Sequence, residues 1–559
     1  MNTFLLYLIF LVPAVGEGIG VRIDHRFFLF WYLAIPTVLY FFFLKKKERF
    51  HLPIKMTLIF LLFLNFSAVS TFFFSLDKQV SFENFLFYCS LFLICIFFYN
   101  NKHLGEKFIR ISIPLLSIIF IAYSVSIPFL KKIGTPFFIP AFEKQTVMPI
   151  FSSHNQLGDF LGLGLIMFFI SLIKKNNPIL MAALIIFFYF FIFSFSRSAY
   201  VSIFIVLVIF LIQSRIKRQP LYFLGLIIVT LSLFSFFIIS SSNFSSNSPF
   251  FGIQQYIKNT KGLVTRNLIS GHSILISQAF KSIKEYPYFG IGNGNFLLAS
   301  WKYNNANDTS DSSHNLILDI GVDQGIPAAL VLLIIIAFLL IQALKKKSVE
   351  SYLFIYLLLN FQTNYAYQIY LFLILSVIFA GIIYEEDASF EFSPLFFGSA
   401  TTVLIVSLFA IVSSFLFLKS GYPLLAIHVY PLNKKAYVEV IGSNKNLSFV
   451  EKAIHEANSI APYDLPIIVS SANYYLETSQ KRKALRLYEK AYEANHLVNF
   501  SISKQIYFLK RQLDSRQEAD LFLTDVIKDL KKTYLPEYFR EDFNTFCRQA
   551  ETPICLNVF

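Results

Sequence analysis

The sequence predicts an all-α polytopic membrane protein with a soluble helical domain at its C-terminus. Three observations predict it. Of 559 residues, 56% are hydrophobic and only 15% are charged, whereas soluble proteins carry about 25% charged residues. Such a chain needs a second solvent, and the bilayer supplies one. Apolar stretches of roughly 20 residues, enough to cross a hydrocarbon core, recur as far as Lys419. Beyond Lys419 the composition turns to that of water-soluble helices.

Taken in order, thirteen spans are expected near residues 2–16, 27–44, 56–75, 84–99, 108–130, 157–173, 178–195, 198–213, 220–240, 316–344, 349–365, 367–384 and 394–418. The first has no basic leading region, so it reads as a retained span rather than a cleaved signal. The basic loops test the count. Lys45–Arg49, Lys102 with Lys107, the loop from Lys174, the loop from Ser214 and Lys345–Lys347 all fall on one side. The positive-inside rule makes that side cytoplasmic. The formal net charge of +14 is then topological, and no nucleic-acid partner is expected. Glu385–Glu391 should be cytoplasmic yet holds no Lys or Arg; a miscount there would put the tail on the wrong side. The expected organisation is N-terminal spans (1–240), a large outer loop (241–315), C-terminal spans (316–418) and a soluble domain (419–559).

Within the outer loop, Ile276, Ala279, Phe280 and Ile283 follow helical spacing. They predict an amphipathic helix, lying at the membrane surface or packed on the spans, and ended by Pro287 and a glycine-rich turn. In the tail, Tyr475, Ala484, Tyr488 and Ala491 occupy tetratricopeptide-like positions, and Ala457 stands 34 residues before Ala491, the period of that repeat. Such a domain binds an acceptor or a protein, or packs on the membrane part. The four Cys form no metal pattern. Cys89 and Cys95 lie in a span, and Cys547 and Cys555 can pair only if the tail is exported.

Ionisable groups at a membrane mark function, and four outward-facing stretches carry them. In "FSSHNQLGDFLGLG", His154, Asn155 and Gln156 stand at a span entrance and Asp159 enters it; the competing reading is a helix cap. In "FSFSRSAYVS", Arg197 sits in a tight link with no carboxylate near in sequence. Its planar fork suits a diphosphate, although a snorkelling arginine would look the same. The outer loop supplies Arg266, His272 and "PYFGIGNGNF". No strand precedes those glycines, so they read as a turn letting backbone approach a substrate rather than as a nucleotide loop. In "SSHNLILDIGVDQG", His314 can act as a general base and Asn315 as a cap. Asp323 follows about two and a half helical turns below, as a substrate ligand or as a buried partner of another helix. Cations and bases at a hydrophobic entrance suit a prenyl-diphosphate glycan, with arginine stabilising the leaving diphosphate and no metal or other cofactor.

Together, "SRSAY", "EYPYFGIGNGNF", "SHNLILDIGVDQGIPAALVLL" and "HNQLGDFL" resemble the O-antigen ligase / O-antigen polymerase (Wzy-like) superfamily, which includes bacterial protein O-oligosaccharyltransferases. The resemblance implies a GT-C-like, metal-independent glycosyltransferase of the bacterial inner membrane. Its donor would be an undecaprenyl-diphosphate-linked glycan, used on the periplasmic face. The acceptor would be a lipid A core sugar, another glycan or a protein hydroxyl. Residue by residue, the resemblance makes His314 and Arg197 catalytic. It carries over Asp323 as well, and the expected substrate-binding residues are Arg266, His272, Asn155, His154, Asn315 and Asp323. One departure stands out: the family's arginine ahead of the glycine turn is His272 here, with Ile276 in place of a following Trp and Arg266 upstream. A histidine holds phosphate only when protonated. The other class weighed is a lipid-linked-glycan transporter or flippase, which calls for mid-span polar residues and related halves.

Overall fold

A computed structural model describes residues 3–19, 25–46, 50–132, 154–175, 177–192, 194, 196–214, 270–303, 310–386, 388–392, 394–443, 447–494, 500–530 and 537–550. The span expected at 220–240, Arg266 and Cys555 fall outside these residues. The membrane part comprises α1 (Thr3–Ile19), α2 (His25–Lys46), α3 (Ile54–Val69), α4 (Lys78–Asn100), α5 (Lys102–Lys132), α6 (His154–Lys175), α7 (Pro178–Ile192) and α8 (Arg197–Ser214). After the outer-loop helices α9 (Ser270–Glu285) and α10 (Phe296–Lys302) come α11 (Leu316–Gln324), α12 (Ile326–Lys346), α13 (Val349–Thr363), α14 (Tyr370–Ile383) and α15 (Pro394–Lys419). Among the described residues, five helices are long and apolar enough to cross a membrane: Ile54–Phe74, Lys78–Asn100, Asn155–Ile173, Ile326–Lys346 and Phe397–Lys419. Shorter apolar helices run alongside them.

Two spans differ from expectation. The stretch 316–344 is not one span. Asn315 caps α11, its side chain accepting from Leu318 N, and Gly325 at φ 87° separates α11 from α12. The membrane helix therefore starts at Ile326, and α11 packs on α9 and α10 instead. Between α13 and α14 the chain makes a 3-10 turn, Tyr365–Gln368, where sequence spacing had two spans nearly abutting. A π-helical turn, Ser70–Phe74, continues α3.

The two ends of the bundle are chemically distinct. At one end, strand β1 (Phe50–Pro53) pairs antiparallel with β2 (Ser389–Phe392). There Lys346 Nζ meets Glu385 Oε1 at 2.7 Å, Lys102 Nζ donates to Tyr384 O and Lys55 N donates to Glu386. The acidic turn thus lies at the same end as the basic loops and neutralises some of their charge.

At the other end the tail docks. It consists of α16 (Pro423–Val429), α17 (Lys434–Ser443), α18 (Leu447–Ile460), α19 (Leu465–Glu477), α20 (Lys481–Ala494), α21 (Phe500–Leu513), α22 (Arg516–Leu530) and α23 (Glu537–Ala550). Consecutive helices from α19 to α22 pack pairwise. Ala457, Ala484, Tyr488 and Ala491 are all buried, and Tyr475 is half-buried. Asp77, the cap of α4, and Asp464, the cap of α19, both bond the ammonium of Lys434, and α20 packs on α10.

Candidate functional site

The site is built at the end of the bundle where the tail docks. It starts from the loop ahead of α11. His314 sits at φ 64°, a left-handed conformation that costs a non-glycine residue roughly 1–2 kcal/mol. Its neighbours impose it. His314 N donates to Ser312 Oγ at 2.8 Å, and Ser313 N donates to Asp319 Oδ1 at 2.8 Å. Tyr367 OH donates to Asp319 Oδ2 and lies 2.7 Å from Ser312 Oγ. The imidazole is half-buried, with its ring centre 4.7 Å from that of Tyr365. Strain of this kind persists where surrounding structure over-determines it.

Tyr365 leads to the other motifs. Asn364 Oδ1 accepts from Tyr365 N, and its Nδ2 donates to Asp159 Oδ2 at 2.7 Å. Asp159 lies in the first turns of α6, which opens at His154 with Asn155 half-buried behind it. Gly158, next to Asp159, faces the link before α8: a Cβ there would stand 2.5 Å from Ser194 Oγ and from Ser196 Cβ. Arg197 follows as the first residue of α8. Ser202, one turn further on, donates to Asn360 Oδ1. A continuous path of contacts therefore runs from Ser196 through Gly158, Asp159, Asn364 and Tyr365 to His314. It draws three of the four sequence motifs onto the α13–α14 break.

The fourth motif behaves differently. Gly290, Gly292 and Gly294 all have positive φ, but what they approach is protein. A Cβ on Gly290 would stand 2.4 Å from the Asp323 backbone. Ile291 N donates to Val322 O, Gly292 N to Asp323 O and Leu76 N to Ile291 O. Asp323 accepts from Gly294 N at 2.7 Å and Asn295 N at 3.1 Å. The turn is a rivet between the α11–α12 break and the outer ends of α3 and α4, not an open cradle. Asp323, expected as a substrate ligand, is 5% exposed and spends both oxygens on backbone. Asn315 bonds Leu318 N and Gln362 O, so its amide likewise fixes the loop. His272 lies in the first turn of α9, which packs on α11.

Asp319 and Asp323 precede the membrane helix. Burial pushes the Asp319 carboxyl up to about 6, against the pull of hydrogen bonds from Ser313 and Tyr367. Burial and then the Asp319 charge push Asp323 up further, against the pull of the Gly294 and Asn295 amides. A carboxyl that titrates near 6 beside the imidazole loop can hold or release a proton close to neutral pH.

Residues 182–333 match the family model for O-antigen ligase. Within that stretch the chain carries an O-antigen ligase domain, which points to membrane glycan transfer. No curated protein and no solved structure matches it. The O-antigen ligase match takes in Arg197, Arg266, His272, His314, Asp319 and Asp323. Asp159, Asn364, Tyr365 and Tyr367 lie outside it; sequence reasoning noted Asp159 at a span entrance, with a helix cap as the competing reading, and passed over the other three. A signal existed: Asn360 and Asn364, one helical turn apart, interrupt the apolar run "YLLLNFQTNYAYQIYLFLIL". Counting spans by hydropathy put a boundary at 365–367 but gave the polar residues beside it no role.

Proposed function

We propose that this chain transfers a glycan from an undecaprenyl-diphosphate carrier to an acceptor hydroxyl, as an O-antigen-ligase-type glycosyltransferase. The observation that carries the reading is the contact path joining the Arg197 link to His314 inside a chain whose centre is an O-antigen ligase domain. His314 takes the acceptor's hydroxyl proton. The freed oxygen attacks the anomeric carbon, and the bond to the diphosphate breaks with its electron pair staying on phosphate. Arg197, with Arg266 or protonated His272, offsets that charge. Asp319, Tyr367 and Ser312 hold the His314 turn. Polymerase and protein O-oligosaccharyltransferase chemistry differ only in the acceptor.

The membrane is the bacterial inner membrane, with the His314 end periplasmic. The basic loops at the opposite end support that orientation. The tail is tetratricopeptide-like, on the strength of its buried Ala and Tyr positions. Arg197→Ala and His314→Ala should each abolish glycan transfer, read as loss of surface polysaccharide or glycoprotein on gels, with membrane insertion unchanged. Full complementation of a deletion by both variants would overturn the assignment.

A further inference from the structure

The tail holds a groove that the transfer chemistry does not use. It is open, with a volume of about 540 Å³, between α18, α19 and α20. Tyr475 supplies a half-buried aromatic ring on one wall. Glu451, His455 and Asn458 project from successive turns of α18, and Lys483 faces them from α20. The Asn458 Nδ2 donates to Ile454 O at 2.8 Å, which fixes the amide. Lys483 Nζ stands 5.0 Å from the Tyr475 ring centre and 4.0 Å from Glu451 Oε1. Both chains of that ion pair are about half exposed, at 56% and 47%, so they swing aside at little cost.

We infer that this groove binds carbohydrate, and that its occupant in the transfer reaction is the glycan of the acceptor. The chemistry favours sugar over the alternatives. A pyranose offers a C–H face for an aromatic ring and hydroxyls that donate and accept in pairs, and the groove offers one ring with a carboxylate, an amide, an imidazole and an ammonium around it. Glu451 and Lys483 cancel in charge, which disfavours a polyanion. Ile454 and Tyr475 are too little apolar surface for an amphipathic helix, which needs a run of anchors. Position favours an acceptor. α20, which carries Lys483, packs on α10 of the outer loop, and the tail is pinned at the His314 end through Lys434. The assignment of the acceptor rests on the transferase reading above; the assignment of a sugar site does not.

Two measurements on the full chain in nanodiscs separate them. The first is saturation-transfer NMR with maltotriose and tri-N-acetylchitotriose as probes, alongside an unstructured peptide. Transfer to at least one sugar, lost in Tyr475→Ala and weakened in Asn458→Ala but kept in Lys452→Ala on the exposed side of α18, is the expected result. Transfer to the peptide alone, to no probe, or undiminished transfer in Tyr475→Ala overturns the sugar site. The second is transfer kinetics, where Tyr475→Ala should raise the acceptor KM by about tenfold, the factor that one lost stacking or hydrogen-bonding contact of about 1.4 kcal/mol gives, with kcat little changed. An unchanged KM overturns the acceptor assignment, whereas absence of transfer in the unsubstituted protein overturns the transferase reading and leaves the NMR result to decide the sugar site.

Discussion

His314 adopts a backbone conformation that a non-glycine residue keeps only when its surroundings insist. Here the insistence comes from Asp319, which bonds Ser313 and Tyr367 at once. The Asp319 carboxyl is also a titration probe of the loop. Its value in the fold is raised by burial to about 6 from 3.8, so the folded state holds its proton where the unfolded chain has lost it. The contribution of this group to stability is then complete below its unfolded value and disappears as pH rises through its folded value. Raising pH from about 4 to about 7 should therefore lower the Tm of the purified protein more than that of Asp319→Asn. Parallel Tm profiles for the two proteins would remove Asp319 as the titrating group. Residues chosen from sequence divide at this scale. Asn315 and Asp323 prove to be fasteners of the loop, while His314 keeps a half-buried ring at the centre of the network.

At the scale of elements, two helix breaks make the site. Gly325 lets the chain leave α11 and enter α12 at φ 87° and ψ 172°, a region open essentially to glycine. A Cβ there would also stand 2.3 Å from Tyr288 O. Gly325→Ala should cost at least about 1–3 kcal/mol, measured as a fall in Tm, and should loosen α9 from α11 in hydrogen exchange. The break between α13 and α14 acts in the opposite manner: it is fastened by side chains, with Asn364 tying α6 to the turn beneath His314. Both breaks sit where polar residues interrupt an apolar run. Hydropathy averages such interruptions away, which is why sequence reasoning ran one span from 316 to 344 across Gly325, although it did end a span at 365 and begin the next at 367.

Across the whole molecule, Lys434 is the fastener between membrane part and tail. Its ammonium is 14% exposed between Asp77 and Asp464. Removing one member of a buried ionic cluster leaves the rest uncompensated, a loss of about 3–5 kcal/mol. Lys434→Met should free the tail, seen as faster proteolytic cleavage near residue 430, and should reduce transfer without displacing the spans. An unchanged cleavage pattern would show that the remaining contacts, Lys434 N with Gln79, Phe82 with Tyr430 and α10 with α20, hold the tail without the ammonium.

The sequence by itself determined the solvent, the helical class and the short polar stretches that interrupt the apolar runs. Those follow from composition and local spacing, because a bilayer charges every polar group locally and helical periodicity is local too. Only the tertiary structure decided which of those stretches share a wall. It brought the Asp159 turn, the Arg197 link and the His314 loop to one break through Asn364 and Tyr365, and it turned the glycine loop inward onto Asp323. Those outcomes depend on contacts between residues far apart in sequence, 205 positions in the case of Asp159 and Asn364, which no local pattern encodes.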